Sequence, residues 1–191
     1  MPKGKVIFLN GVSSSGKTTL AKSLQEQLPE PFYWIAIDTF IDMMPQKYKQ
    51  PNTPEAMSVC LKTVSFVHST IKYFIDMGMN IIVEHIFHTK GWMEECLELL
   101  HEYHIIFIHV TCPLNELQRR EEMRGNCDFF RIENQLKNLN PKNCVYDLII
   151  DTYKNSNEEN INKILESLNN TDKNMAFKTL WEQQILKKTI V

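Results

Sequence analysis

The sequence is short of several features that would place it in a specialised class. Its five cysteines (Cys60, Cys96, Cys112, Cys127 and Cys144) are odd in number and never spaced Cys-x-x-Cys. That argues against a zinc site or a disulfide framework, and predicts reduced thiols in a cytoplasmic protein. No apolar run reaches the roughly 18 to 20 residues that span a bilayer, so no membrane partner is expected. Met1-Pro2-Lys3-Gly4 leads straight into an apolar strand pattern, unlike a secretory leader. Neither sign of charge dominates: 21 Lys and Arg against 23 Asp and Glu give −2. The basic footprint of a general nucleic-acid binder is therefore missing. There is no internal repeat and no low-complexity linker, only an Asn-rich stretch between 155 and 174, and 191 residues read as one domain, 1–191.

What the chain does have is alternation. Apolar runs of strand length at 5–10, 32–37, 80–83, 104–111 and 146–150 are separated by helical patterns at 17–28, 54–77, 92–102, 113–123 and 158–168. Strands interleaved with helices predict an α/β fold with a parallel sheet and right-handed crossovers. The last segment, 175–188, carries Leu180, Trp181, Ile185 and Leu186 at helical spacing. It is expected to pack back on the domain, with a homodimer contact as the alternative.

Between the first strand and the first helix stands Gly11-Val-Ser-Ser-Ser-Gly16-Lys17-Thr18, a match to the phosphate-loop (Walker A) pattern at every fixed position. The chemistry accounts for the spacing. Glycines let the backbone turn tightly, so that successive N–H groups and the helix N-terminus aim at phosphate oxygens. Residues Gly11, Ser13, Ser14, Ser15, Gly16, Lys17, Thr18 and Thr19 are thus expected to bind ATP. Lys17 would reach the β- and γ-phosphates, and the Thr18 hydroxyl would ligate Mg²⁺.

The chain contains no guanine-reading Asn-Lys-x-Asp, which argues against a GTPase. A kinase needs instead a carboxylate for the acceptor hydroxyl and cations for the moving phosphoryl group. Asp38 closes the second apolar run, where ligands gather in open α/β sheets, and is read as that catalytic carboxylate, against the alternative of a helix cap. Glu84 closes the third run and could hold Mg²⁺ through water or orient substrate, or be structural. His85 and His88 follow it without metal-ligand spacing and read as pocket wall or surface. Arg119, Arg120 and Arg124 form the densest arginine cluster, and Arg120 and Arg124 share a helical face. They suit a lid that closes over the γ-phosphate, against the alternative of a solvated face paired with Glu116, Glu121 and Glu122. Phe40, Met43 and Met44 could line an acceptor pocket for a neutral aromatic alcohol, or pack the core.

Taken in order, these residues resemble the chloramphenicol phosphotransferase family. The resemblance covers residues 4–152. It rests on the phosphate loop, the segment Ile37-Asp38-Thr39-Phe40-Ile41-Asp42-Met43-Met44-Pro45 and the acid-ended third strand. Thr111-Cys112-Pro113, Arg120-Glu121, Arg124-Gly125, Tyr146-Asp147-Leu148 and Asp151-Thr152 complete it. It implies an adenylate-kinase-like P-loop NTPase with strand order 2-3-1-4-5 and a small lid, here about 124–145. It also implies that the carboxylate matching Asp38 takes the proton of the acceptor hydroxyl, and that adenine docks near Asp151 and Thr152. The chain departs from the family where paired aspartates often follow the third strand, having Glu84-His85. It has Asn126 where an acid commonly follows the Arg-Gly of the lid, and a helix-forming extension at about 172–191. The expected activity is ATP-dependent phosphoryl transfer to a hydroxyl of a small molecule, chloramphenicol-like acceptors included. A kinase of a nucleotide sugar or a polynucleotide end, and a regulatory ATP-binding module without transfer activity, are the competing readings.

Overall fold

The computed structural model describes residues 2–50, 52–89, 91–125, 129–139, 144–169 and 175–189. Its centre is a five-stranded parallel sheet of β1 (Val6–Asn10), β2 (Phe32–Ala36), β3 (Asn80–His85), β4 (Ile105–Thr111) and β5 (Leu148–Asp151). The order is β2-β3-β1-β4-β5, as the family resemblance implied. β1 is central and entirely buried, so it can carry apolar side chains on both faces. Alternation then divides them. Val6 and Phe8 join one core with α3 (Pro54–Asp76), α4 (Trp92–Leu100) and α8 (Ala176–Thr189). Ile7 and Leu9 join a second core with α1 (Lys17–Gln27) and α7 (Asn157–Leu168). Because every strand runs the same way, Asn10, Ala36, His85, Thr111 and Asp151 end along one edge of the sheet.

Local chemistry sets the helix limits. α3 starts where the Thr53 hydroxyl accepts from Ala56 N with Pro54 in the first turn, and Gly78 follows its end at φ 77°. Its buried Ala56, Cys60, Val64, Val67, Ile71 and Ile75 recur at intervals of three and four, one face of a helix. Ser156 and Glu159 close a reciprocal capping box on α7. α8 is part of the core: Ala176, Phe177 and Leu180 are buried, and the Phe177 ring packs on Phe8 and on Phe107.

Three differences from the sequence expectations matter for function. Asp38 is not the last residue of a strand but lies in the first turn of a short helix, α2 (Ile37–Asp42). A one-turn 3₁₀ helix follows at Gln46–Tyr48. The expected lid segment holds a further helix, α6 (Phe129–Leu139), after α5 (Leu114–Met123). Ile132, Gln135, Leu136 and Leu139 give α6 a helical spacing that was present in the sequence. Asn126, Cys127 and residues 140–143 and 170–174 of the expected lid and extension lie outside the described residues.

Asp147 holds α8 in place. One carboxylate oxygen accepts from Met175 N at 2.8 Å and Ala176 N at 2.9 Å, the first backbone donors of α8. The other accepts from Phe107 N on β4 at 2.8 Å. Burial pushes this carboxyl up in pKa, and the three backbone donors oppose that shift. Replacing Asp147 with Ala orphans three backbone N–H groups. We expect a loss of about 2–3 kcal/mol in urea unfolding, with Asp147→Asn losing less.

Candidate active site

The phosphate loop joins β1 to α1, and its shape is enforced from outside. A Cβ on Gly11 would come within 2.3 Å of the Val110 carbonyl oxygen, so only glycine fits there. Gly16 sits at φ 98°. Ser14 is the one non-glycine residue at positive φ among the described residues, at 60°. Several groups hold it there. Its hydroxyl and that of Ser13 both donate to one oxygen of Glu121, and Arg120 donates to its carbonyl at 3.3 Å. The Ser13 N–H donates to Gln135 Oε1 on α6 at 2.9 Å, and Arg131 Nη2 donates to Ser13 Oγ at 3.0 Å.

Lys17 is buried beneath this loop and donates to the carbonyl oxygens of Gly11 at 2.9 Å and Val12 at 3.0 Å. Burial pushes its ammonium below its ordinary pKa. The negative charges of Glu84 and Asp38 oppose the shift, and Arg124 and Arg131 reinforce it. Four charged side chains from distant parts of the sequence therefore act on the Lys17 ammonium. Asp38 is exposed, and its carboxylate makes no hydrogen bond or ion pair with any described residue. It is thus not used as a helix cap.

Glu84 ends beside the loop. Its Oε1 accepts from the Thr18 hydroxyl at 2.8 Å, and its buried Oε2 has no partner among the described residues. A hydroxyl and a half-engaged carboxylate next to a phosphate site fit a Mg²⁺ ion, a hard cation that takes oxygen ligands and keeps several waters. Among the described residues no larger cluster of His, Cys, Asp and Glu could hold a metal.

The arginines divide. Arg120 is committed: it donates to Glu116 at 2.8 Å and to Thr152 Oγ1 and O at 3.0 and 3.1 Å. It therefore ties α5 to the loop after β5. Glu116 pairs with both Arg119 and Arg120, which hold its carboxyl down at about 2. Arg124, exposed at the end of α5, keeps its charge within reach of Lys17. Glu121 does not belong to a solvated face; it is fully buried and serves the loop. Thr152 supports the loop from below, donating to the Ser15 carbonyl at 2.7 Å. Asp151 caps a turn, accepting from Tyr153 N and Lys154 N. Gly16, Thr19, Arg120, Thr152 and Asn155 border a crevice of about 150 Å³.

Phe40 and Met44 are not brought to Asp38. Two helical positions separate Phe40 from Asp38, about 200° around the axis. Phe40, buried Met44 and Phe66 instead line a separate groove of about 400 Å³ between α2 and α3. Sequence reasoning missed Glu121, Arg131 and Gln135 as loop contacts, since nothing within the loop motif points to them.

A family model for chloramphenicol phosphotransferase-like protein matches residues 4–169. The chain belongs to the chloramphenicol phosphotransferase-like family. Two Mycobacterium tuberculosis proteins, from strains CDC 1551 and H37Rv, carry the provisional name O-phosphotransferase. They are 31% identical over 147 residues, 66% of this chain and 65% of theirs, so the match spans just under two thirds of those relatives. Among solved structures, an APS kinase of M. tuberculosis in complex with AMPPNP and APS superposes with a TM-score of 0.66. It is 15% identical, over 88% of this chain and 99% of that one. A gluconokinase of Sinorhizobium meliloti gives 0.62 at 17% identity, over 95% and 97%. At such identities the likeness is one of fold.

At the end of β3, His85 turns inward. Its ring stacks 4.3 Å from Phe87, and its Nε2 lies 2.9 Å from His68 Nε2. The Ile86 N–H donates to His85 Nδ1 at 2.7 Å, so that nitrogen is unprotonated and His85 Nε2–H donates to His68. His68 Nδ1 then donates to Glu95 at 2.8 Å. A further proton on either ring sets two N–H groups against each other. Burial lowers both histidine pKa values, that of His85 well below the ordinary value. The unfolded chain therefore takes up protons that the folded one refuses. Stability is complete above about pH 6.5 and falls as the pH drops below it, by up to about 1.4 kcal/mol per pH unit for each histidine. Urea unfolding at pH 7.5 and 5.5 should show this loss, and His68→Gln should flatten the slope.

Proposed function

We propose that this protein is an ATP-dependent phosphotransferase that moves the γ-phosphoryl group to a hydroxyl of a small neutral molecule. The observation that carries the reading is the pairing of a buried Lys17 with an unengaged Asp38 carboxylate, each within the other's field, at one edge of the sheet. A module that only binds nucleotide has no need of a free carboxylate at that place.

The backbone N–H groups of residues 11–19 and the N-terminus of α1 receive the phosphates. Lys17 exchanges the carbonyls of Gly11 and Val12 for β- and γ-phosphate oxygens, and Arg124 and Arg131 add positive charge as the transition state spreads negative charge over the γ-phosphoryl oxygens. The acceptor oxygen attacks the γ-phosphorus in line, the bond from that phosphorus to the β–γ bridging oxygen breaks, and ADP leaves. Asp38 takes the proton of the acceptor hydroxyl. Thr18 and Glu84 would hold Mg²⁺, which when bound neutralises phosphate charge. The Arg120–Thr152 side of the loop, with its 150 Å³ crevice, is where the adenine fits. Segment 124–145, carrying Arg131 and Gln135, is the lid; because Gln135 occupies the Ser13 N–H, that contact has to change when phosphate arrives.

Two substitutions separate the roles. Lys17→Ala should abolish acceptor-dependent ADP release and weaken ATP binding in calorimetry. Asp38→Asn should leave ATP affinity within about twofold while turnover falls by roughly 10²–10⁴-fold, the usual worth of a general base. Full turnover in Asp38→Asn would remove it from the base role.

A further inference from the structure

One side of α3 lacks the charge that an exposed helix face ordinarily carries. Phe66, Thr70, Tyr73 and Met77, the last just past the helix end, recur at intervals of four, three and four and so share that side. After Lys62 the only other Lys, Arg, Asp or Glu of α3 are Lys72 and Asp76. They pair with each other, and Asp76 also engages Lys3 and the Tyr103 hydroxyl, which draws both to the flank facing the end of α4.

The uncharged face continues onto its neighbours. The Phe66 ring lies 6.0 Å from Phe40 of α2, and Met43, just after α2, borders the same groove as Phe66. Further along, the Tyr33 ring of β2 lies 5.7 Å from Phe74, the residue next to Tyr73. Tyr33, Met43, Phe66, Tyr73 and Met77 are each between 49% and 75% exposed. At roughly 200 Å² for a whole large side chain, they leave on the order of 600 Å² of mainly apolar surface open to water, the upper end for a monomer. Two such faces together reach about 1,200 Å², the size at which stable, specific interfaces begin.

We propose that this face joins a second copy of the chain across a two-fold axis near Ser69 and Thr70. An uncharged apolar face is complementary to itself, and in a two-fold contact each residue pair occurs twice. Antiparallel α3 helices centred on Ser69 and Thr70 bring Phe66 of each copy to Tyr73 of the other, and the two small residues let the helices approach closely. The same register carries Met77 of the second copy over the groove of about 400 Å³ that Lys62, Thr63 and Phe66 border. It also sets Lys62 against the negative end of the second α3. Lys62 is exposed and has no ion pair among the described residues, and the last turn of α3 holds no basic residue of its own. The cation and the helix end are therefore complementary in charge.

The test uses the full chain. Sedimentation equilibrium at micromolar concentration should give a dimer. Tyr73→Glu sets a carboxylate against Phe66 of the other copy at two places and should weaken dimerisation by roughly a hundredfold or more. Because Tyr73 is exposed, that variant should melt within a few degrees of the wild type. Lys62→Glu should weaken the dimer by roughly three- to thirtyfold, since the helix-end contact is made twice. Ser69→Cys, beside the axis, should form a disulfide between copies under mild oxidation, beyond any cross-linking of the wild-type chain on the same non-reducing gel. A wild-type chain that stays monomeric, a dimer that survives Tyr73→Glu, unchanged dimerisation in Lys62→Glu, or a Ser69→Cys chain that cross-links no more than the wild type would overturn the proposal.

Discussion

The ammonium of Lys17 sits out of water against the carbonyl oxygens of Gly11 and Val12, under the loop that joins β1 to α1. A buried cation among backbone dipoles is tolerable only if the loop cannot relax and if negative charge stands nearby. The surrounding structure supplies both. Val110 leaves Gly11 no room for a side chain, Thr152 props the loop from beneath, and Glu121 holds two of its serines from the side. Glu84 and Asp38 supply the negative field. Remove the need to hold Lys17 in that place and most of the polar contacts at this edge of the sheet lose their purpose.

That constraint explains why residues of similar type have different tasks. Of the arginines on α5, Arg120 is bound into the support of the loop, whereas Arg124 leaves its charge available to the site. The acids divide likewise. Glu116 neutralises two arginines, Glu121 is buried under the loop, and Glu84 keeps one oxygen for Thr18 and one unengaged. At the next position along β3, His85 is a neutral ring that passes its hydrogen bond to His68 and Glu95. The core thereby holds a polar pair that is satisfied only while neutral.

The loop, its lysine and the parallel sheet were legible because each is written in contiguous residues: a fixed spacing of Gly and Lys, and apolar runs separated by helical periods. Asp38 and Glu84 were legible because a residue at the end of a parallel strand, or just past it, is carried to the ligand edge whatever its neighbours. Contacts that depend on the packing of distant helices were not. Glu121 sits in a charged run, Arg119 to Glu122, whose pattern is that of a solvated face; only the approach of α5 to the loop buries it. Gln135 shares the helical spacing of α6 but nothing in the sequence marks it as a loop contact, and Phe40 and Met44 looked like neighbours of Asp38 until the fold turned them to a separate groove.

By itself, then, the sequence determined an α/β domain with a phosphate-loop motif between its first strand and first helix, and placed Asp38 and Glu84 at the same edge of the sheet. Those features follow from local backbone geometry and from strand direction, which short spacings encode. Tertiary structure alone decided that Arg120 braces the loop after β5 and that Glu121 is buried. It also decided that the C-terminal helix joins the core and is anchored there by Asp147. These depend on distances between residues far apart in the chain, and such distances exist only once both faces of the sheet are covered.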